Sequence, residues 1–223
     1  MLANSLVKYF EAGGPIMWPI LITAIVAVAV VGERCFWWFR ESRRRDPETL
    51  AKVLGALEVG DFQEASQLTK GSEDPIIRMI WHGTNHFHSS FQGALQMAAG
   101  VELQRAGRFL AVMDTLVTLA PLLGLLGTVS GIFKTFLSIG NATVEGATGV
   151  ITGGIGEALI ATMCGLAIAI VALIPFNYFS RKLAQLHFEL ESAATSVEML
   201  VQAAKQKGHD TMEFRRDRTQ PAK

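Results

Sequence analysis

Long apolar stretches dominate the chain, and the two longest are neighbours in the sequence. Residues 110–139 and 150–179 each supply about 30 mostly apolar residues, whereas about 20 suffice to cross the hydrocarbon core of a bilayer. The short stretch between them, 140–149, leaves room only for a turn, so the two arms are expected to run antiparallel and to pack on each other. Lipid offers no partner to unpaired backbone groups, so both arms are predicted to be helices.

A third apolar stretch, residues 15–39, precedes this hairpin and has tryptophans near both ends, as membrane-spanning helices do. Glu33 and Arg34 lie near its exit and are expected to reach the lipid headgroups. Four arginines follow at positions 40 to 45, while the hairpin loop has neither lysine nor arginine. The positive-inside rule therefore predicts an outside amino terminus and a cytoplasmic carboxy terminus.

The fold class predicted is all-α, a polytopic membrane protein with three transmembrane helices. In the cytoplasmic insert, Asp46 and Asp74, each before a proline, and Asp61 with Glu64 in a capping box mark helix starts. No proline interrupts the chain from about Gln92 to Pro121, which predicts one helix rising into the second span. The predicted segments outside the cytoplasm are a periplasmic interfacial helix at 1–14 and a periplasmic loop at 140–149. The three transmembrane helices are predicted at 15–39, 110–139 and 150–179. The cytoplasmic segments are a helical insert at 40–109, a helix extension at 180–207 and a disordered tail at 208–223.

Leucine, valine and alanine side chains from Leu183 to Ala204 continue at heptad spacing, so the third span is expected to extend below the membrane and pack on the rising helix. Both extensions would then belong to a cytoplasmic helical bundle.

Small and hydroxyl residues recur on one face of each arm of the hairpin, at spacings of three and four. Such stripes let helices approach closely in lipid. They also indicate a face for a pore or a partner helix, and the residues predicted to form it are Pro121, Gly124, Gly131, Thr135, Ala158 and Gly165. The stripe residues of the two arms are Pro121, Gly124, Thr128, Gly131, Thr135 and Ser138, then Ala158, Thr162, Gly165, Ala169 and Ala172.

Thr128 and Thr162 are equally far from Glu145 in sequence, so folding the hairpin there places both hydroxyls at one depth, near mid-membrane. This arrangement suggests a polar track for an ion. The alternative is that each hydroxyl bonds only to its own helix.

Glu157 is the most costly residue in the hairpin, and carboxylates within a membrane are candidates for function. The folded hairpin brings Glu157 level with Lys134. Two structural alternatives therefore stay open: the two side chains neutralise each other, or Lys134 extends outward to the headgroups.

Other chemistry is not supported by the sequence. A charged fraction of 18% and zero net charge imply no general affinity for nucleic acid. The two cysteines form no CxxC pair, and the three histidines of WHGTNHFH lack further ligands, so no metal site is predicted. With no recognisable catalytic or cofactor motif, the chain is expected to be neither an enzyme nor a cofactor carrier.

Two segments resemble the paired signature of the MotA/TolQ/ExbB proton-channel family, APLLGLLGTVSGIFKTF at 120–136 and GIGEALIATMCGLAIAI at 154–170. Three spans with a compact insert are more similar to the ExbB/TolQ branch than to flagellar stators. The resemblance implies a bacterial inner-membrane ring, generally of five copies, around two copies of a single-span ExbD/TolR-like partner. A partner aspartate would carry protons, with a TonB/TolA-like periplasmic protein as a further possible contact.

By this resemblance Thr128 and Thr162 match pore-facing threonines and Glu157 matches the family's acid, which makes these three the expected ion-pathway residues. Lys134 departs from the usual residue. The implied function is conversion of proton flow into mechanical work for a periplasmic or outer-membrane transport system. A flagellar- or gliding-type stator driven by protons or sodium, and a non-conducting membrane scaffold, are the alternatives. The transported ion is expected to be H⁺, with Na⁺ the second possibility.

Overall fold

A computed structural model describes the backbone of residues 10–85, 91–139 and 144–217, and side chains within these ranges except 144–148 and 207–217. About 90% of those residues are helical, and none of them is in a strand. The helices are α1 (Met17–Ser42), α2 (Pro47–Val59), α3 (Phe62–Thr69), α4 (Pro75–Asn85), α5 (Phe91–Ala106), α6 (Leu110–Ile139) and α7 (Val144–Asp217).

Three helical stretches are long and apolar enough to cross a membrane: Met17–Ser42, Phe91–Ile139 and Gly149–Gln206. Many of their large apolar side chains are exposed within the single chain, as lipid-facing residues would be. The predicted all-α class with three membrane helices is confirmed.

The chain divides into two compact units. The first comprises residues 1–36 and 109–180, which include most of α1 and the hairpin of α6 with the first part of α7. In one apolar cluster of this unit, Met17 and Ile20 pack on Ala161. In another, Ala27 packs with Leu116 and Ala172.

The second unit comprises residues 37–108 and 181–223 and has its own apolar core. Val53, Leu57, Met79 and Leu95 from α2, α4 and α5 are almost fully buried there. Leu186, Leu190, Val197 and Val201 of α7 join the same core. The predicted packing of the extended third helix on the insert is therefore present within this unit.

Aspartates begin three helices of the second unit, as predicted. Asp46 accepts the N–H of Thr49 at 3.0 Å, and Asp61 accepts that of Glu64 at 2.8 Å. The hydroxyl and N–H of Thr49 hold the pKa of Asp46 below its ordinary value. The capping box at Asp61 is only half formed, because its own N–H donates to the carbonyl oxygen of Ala56 at 2.9 Å.

Asp74 connects two of these helix starts. Its carboxylate, 3% exposed, accepts the N–H of Ile76 at 2.8 Å and that of Asp46 at 3.0 Å. One buried acid therefore fixes the amino ends of α2 and α4 together.

The predicted uninterrupted helix from Gln92 into the second span is wrong. The chain leaves the helix between Ala106 and Leu110, and Phe109 has a left-handed φ of 65°. The Phe109 ring centroid lies 5.7 Å from the guanidinium carbon of Arg34. A cation–π contact with a buried guanidinium, about 2 kcal/mol, offsets a strain of about 1–2 kcal/mol for this backbone conformation.

Arg34 does not extend to the headgroups as expected. It is 1% exposed, and its Nε lies 2.5 Å from a carboxylate oxygen of Glu33. The guanidinium group is buried beside the Glu33 carboxylate and the Phe109 ring, and these contacts take the place of lipid headgroups.

Some predicted segment ends differ from the helices observed. α7 starts at Val144, inside the predicted loop, and continues to Asp217, into the predicted disordered tail. Single glycines destabilise a helix by only about 1 kcal/mol each, too little to end one that is otherwise favourable. Residues 140–143 and 218–223 lie outside the described residues, as does most of the predicted interfacial helix, of which residues 10–12 are helical.

Candidate proton-path hairpin

Small residues bring the backbones of α6 and α7 into direct contact. A β-carbon built on Gly165 would lie 2.5 Å from the carbonyl oxygen of Ala120, and one on Gly124 would lie 3.0 Å from Cα of Thr162. Real β-carbons do not approach backbone atoms as closely as 2.5 Å, so hydrogen is the only side chain that fits at Gly165. At Gly124 a β-carbon would be a tight contact, and the facing backbone would have to shift by a few tenths of an ångström.

The same contact buries most of the residues predicted to face a pore or a partner helix. Pro121 is half-buried within α6, whereas the other five are buried inside the chain. Their surface is occupied by the neighbouring helix of the same chain, because close packing of α6 on α7 uses the small side chains of both. These five are Gly124, Gly131, Thr135, Ala158 and Gly165.

Thr162 uses its hydroxyl to join the two helices. Its Oγ1 donates to the carbonyl oxygen of Gly124 at 2.8 Å. An interhelical hydrogen bond of this kind contributes about 0.6–1.7 kcal/mol in a membrane protein. Thr162 is therefore part of the hairpin's structure, whatever else it does.

Thr128 is half-buried, and its hydroxyl donates to the carbonyl oxygen of Leu125 on its own helix at 2.7 Å. Contacts of Gly124 with Thr162 and of Gly131 with Ala158 set the register of the hairpin. By interpolation Thr128 lies about two residues, or about 3 Å, from the level of Thr162. The two hydroxyls are close to one depth, and only that of Thr128 bonds solely within its own helix.

Glu157 and Lys134 form the contact that was predicted as a possible charge pair. Lys134 Nζ lies 3.4 Å from Glu157 Oε1, with the side chains 49% and 31% exposed. The alternative in which Lys134 extends outward to the headgroups without contacting Glu157 is therefore not observed. The pair joins α6 to α7 near the loop end of the hairpin.

If this pair is energetically significant, Lys134→Met should destabilise the protein less in a Glu157→Gln background than in the wild type. We expect a coupling energy of at least about 0.5 kcal/mol in a double-mutant cycle. The free energy of unfolding in mixed detergent micelles measures it for the four proteins. Strictly additive effects of the two substitutions would refute the pair.

Gly14 was not singled out from the sequence, yet it lies against Glu157. A β-carbon built on Gly14 would lie 1.8 Å from Oε1 and 2.6 Å from Cδ of that residue. The signal available in the sequence was Gly13-Gly14-Pro15 directly before the first span, a combination typical of a turn.

Asp114 is a second residue that the sequence analysis missed. It is an exposed carboxylate near the start of α6, two heptads before Thr128 and on the same side of the helix. Between Asp114 and Lys134, and between Glu157 and Arg181, the sequence has no Asp, Glu, Lys, Arg or His. The middle of the hairpin therefore has hydroxyl groups without a carboxylate, amine or imidazole.

The histidines considered for a metal are only partly described. The ring of His82 packs edge-on against Trp81, with centroids 4.9 Å apart, and His86 and His88 lie outside the described residues.

Comparison with known proteins agrees with this architecture. Residues 68–192, more than half of the chain, match the MotA/TolQ/ExbB proton channel family. The biopolymer transport protein ExbB-like 3 of Synechocystis is 34% identical over 173 residues, covering 75% of this chain and 81% of that protein.

Two further relatives extend the comparison. ExbB-like 1 of Synechocystis is 35% identical over 178 residues, which cover 77% of this chain and 69% of the relative. The biopolymer transport protein ExbB of Salmonella typhimurium is 28% identical over 205 residues, 83% of this chain and 80% of the relative. The chain belongs to the MotA/TolQ/ExbB proton channel family, in its ExbB-like branch.

Proposed function

We propose that this chain is the channel-forming subunit of an inner-membrane complex that converts proton motive force into mechanical work for a periplasmic or outer-membrane transport system. The observation that carries the proposal is the chemistry of the hairpin. Thr128 offers a hydroxyl in mid-span, while the nearest carboxylates of the chain, Asp114 and Glu157, lie toward opposite ends.

This spacing means that a proton path needs a group from outside the chain. Asp114 and Lys134 are 20 positions apart on α6, and at about 1.5 Å per residue they bracket about 30 Å of helix. A carboxylate of a partner helix, passing Thr128, crosses that stretch neutral and ionises where a hydroxyl or water stabilises it. A single-span ExbD/TolR-like protein with an intramembrane aspartate would supply this carboxylate.

The proposed assembly is a ring of this chain, with five copies the expected number, around two copies of the partner. The amino terminus of the chain is periplasmic and its carboxy terminus cytoplasmic. The arginines after the first span and the lack of lysine and arginine in the hairpin loop favour this orientation. A TonB/TolA-like periplasmic protein would receive the work. No catalytic step or cofactor belongs to this proposal, and the transported ion is H⁺.

A non-conducting scaffold is the second candidate, because the small residues of both helices are engaged in packing within the chain. Proton flux through the complex distinguishes the two. A sodium-driven stator would instead show flux that follows the sodium gradient.

Thr128→Val tests the proposal at the hydroxyl that makes no interhelical bond. Hydrogen bonds to charged groups contribute about 1.5–3 kcal/mol, so we expect partner-dependent proton flux to fall about tenfold to a hundredfold. Thr128→Ser should retain most of the flux. The measurement is proton uptake by liposomes containing both proteins, with assembly checked by size.

Thr118→Val is the matched control, since Thr118 is also on α6 and also bonds to carbonyls of its own helix. Its flux should stay within about twofold of wild type. Normal flux in Thr128→Val would contradict a role for this hydroxyl. Thr162→Val is a weaker probe, because it also removes the bond to Gly124.

A further inference from the structure

The turn before the first span closes over the carboxylate of Glu157. Gly14 has a left-handed φ of 71°, and its α-carbon faces the end of the Glu157 side chain so closely that an added β-carbon would lie 1.8 Å from Oε1. Lys134 Nζ approaches the same oxygen at 3.4 Å. The same carboxylate oxygen thus lies against the Gly14 backbone and beside the Lys134 ammonium group.

The position of Gly14 is fixed by the helix that follows it. Its carbonyl oxygen accepts the N–H of Met17 at 3.1 Å, which makes it the start of the first turn of α1. Met17 and Ile20 are 6% and 2% exposed and pack against Ala161 of α7. The turn is therefore held against α7 by apolar contacts one helical turn away from Glu157.

We propose that Gly14 is a positioning residue for Glu157. Because Gly14 has no side chain, its backbone lies directly against the Glu157 carboxylate, holds it beside Lys134 and covers it. The inference rests on the proposed function only insofar as Glu157 belongs to the proton path. Gly14 has no titratable side chain and acts only through Glu157.

Only glycine satisfies both requirements at this position. A positive φ is unfavourable for residues with a β-carbon, and any β-carbon here would meet the carboxylate. What the new atom meets is the far end of a flexible side chain and not a backbone. Substitution at Gly14 should therefore move the Glu157 carboxylate away from Lys134 while α1 and α7 stay packed.

Two glycines serve as matched controls. Gly71 has a similar left-handed φ of 80° with nothing within 4 Å of an added β-carbon, so Gly71→Ala isolates the backbone strain. Gly156 is adjacent to Glu157 on α7 and is also open, so Gly156→Ala isolates an added methyl group in the same helix. Gly14→Asn is a second test variant, because asparagine tolerates this φ and still displaces the carboxylate.

The first readout is the rate at which dicyclohexylcarbodiimide, which reacts with protonated carboxyls, labels Glu157 in the purified protein, followed by mass spectrometry. Because Gly14 and Lys134 no longer cover the displaced carboxylate, labelling in Gly14→Ala and Gly14→Asn should rise about threefold to fivefold. Both controls should label at the wild-type rate. Labelling of the two Gly14 variants at the wild-type rate would overturn the inference, whatever their flux.

The second readout is proton flux with the partner present. Flux should fall in Gly14→Ala and recover when Glu157→Asp is added, because the shorter side chain leaves room for the β-carbon; Glu157→Asp alone supplies the baseline. Raised labelling with unchanged flux would support the positioning role and contradict the expectation that Glu157 belongs to the ion pathway. Failure of the positioning role and failure of the proposed function therefore give different results.

Discussion

Gly165→Ala is expected to separate α6 from α7 and to destabilise the chain by about 3 kcal/mol or more, at the upper end of the range for overpacking. The added β-carbon would lie 2.5 Å from the carbonyl oxygen of Ala120 and 3.1 Å from Cα of Gly124. Both are backbone atoms, so no side chain can rotate away. A helix must shift instead, and the hydrogen bond from Thr162 to Gly124 should be lost with it.

The matched control is Gly153→Ala on the same helix, where nothing lies within 4 Å of an added β-carbon. This change should be neutral or stabilise by up to about 1 kcal/mol, because alanine favours the helix more than glycine does. The free energy of unfolding in mixed micelles measures both. Equal stability of the two variants would mean that α6 and α7 do not pack in the register described.

The sequence predicted the main architecture well, because membrane helices follow from length and apolar composition alone. The helix starts at Asp46, Asp61 and Asp74 were also predictable, since a capping side chain acts within three residues of its own position. The Lys134–Glu157 contact followed from a hairpin of nearly symmetric arms.

Features that depend on distant residues were beyond the sequence. The helix break at Phe109 is not marked by a proline in the sequence. It coincides with a contact to Arg34, which is distant in the chain. The contact of Gly14 with Glu157 likewise joins the turn before the first span to a residue of the third span.

The stripe of small residues was found, but its periodicity could not say which neighbour it faces. Close packing within one chain and packing against a partner call for the same residues at the same spacing. The structure places five of the predicted contact positions between α6 and α7. Thr128 and Pro121, at the edge of that contact, are the stripe positions of α6 left half-buried.

Removal of the partner's carboxylate is expected to have the largest effect on function. Moving an isolated charge across hydrocarbon is prohibitive, and the hairpin offers no Asp, Glu, Lys, Arg or His between Asp114 and Lys134 on α6 or between Glu157 and Arg181 on α7. Asp→Asn in a single-span partner should therefore lower proton flux by about a hundredfold or more, consistent with the desolvation penalty of an unassisted charge. Assembly should be unaffected, because the substitution is nearly isosteric.

The central claim is that this chain conducts protons only with a titratable group supplied from outside. Proton uptake into liposomes under an imposed potential tests it most directly, with this chain alone, with its single-span partner, and with the Asp→Asn partner. The account predicts uptake above the background of empty liposomes only when the unaltered partner is present. Robust uptake by this chain alone would contradict it.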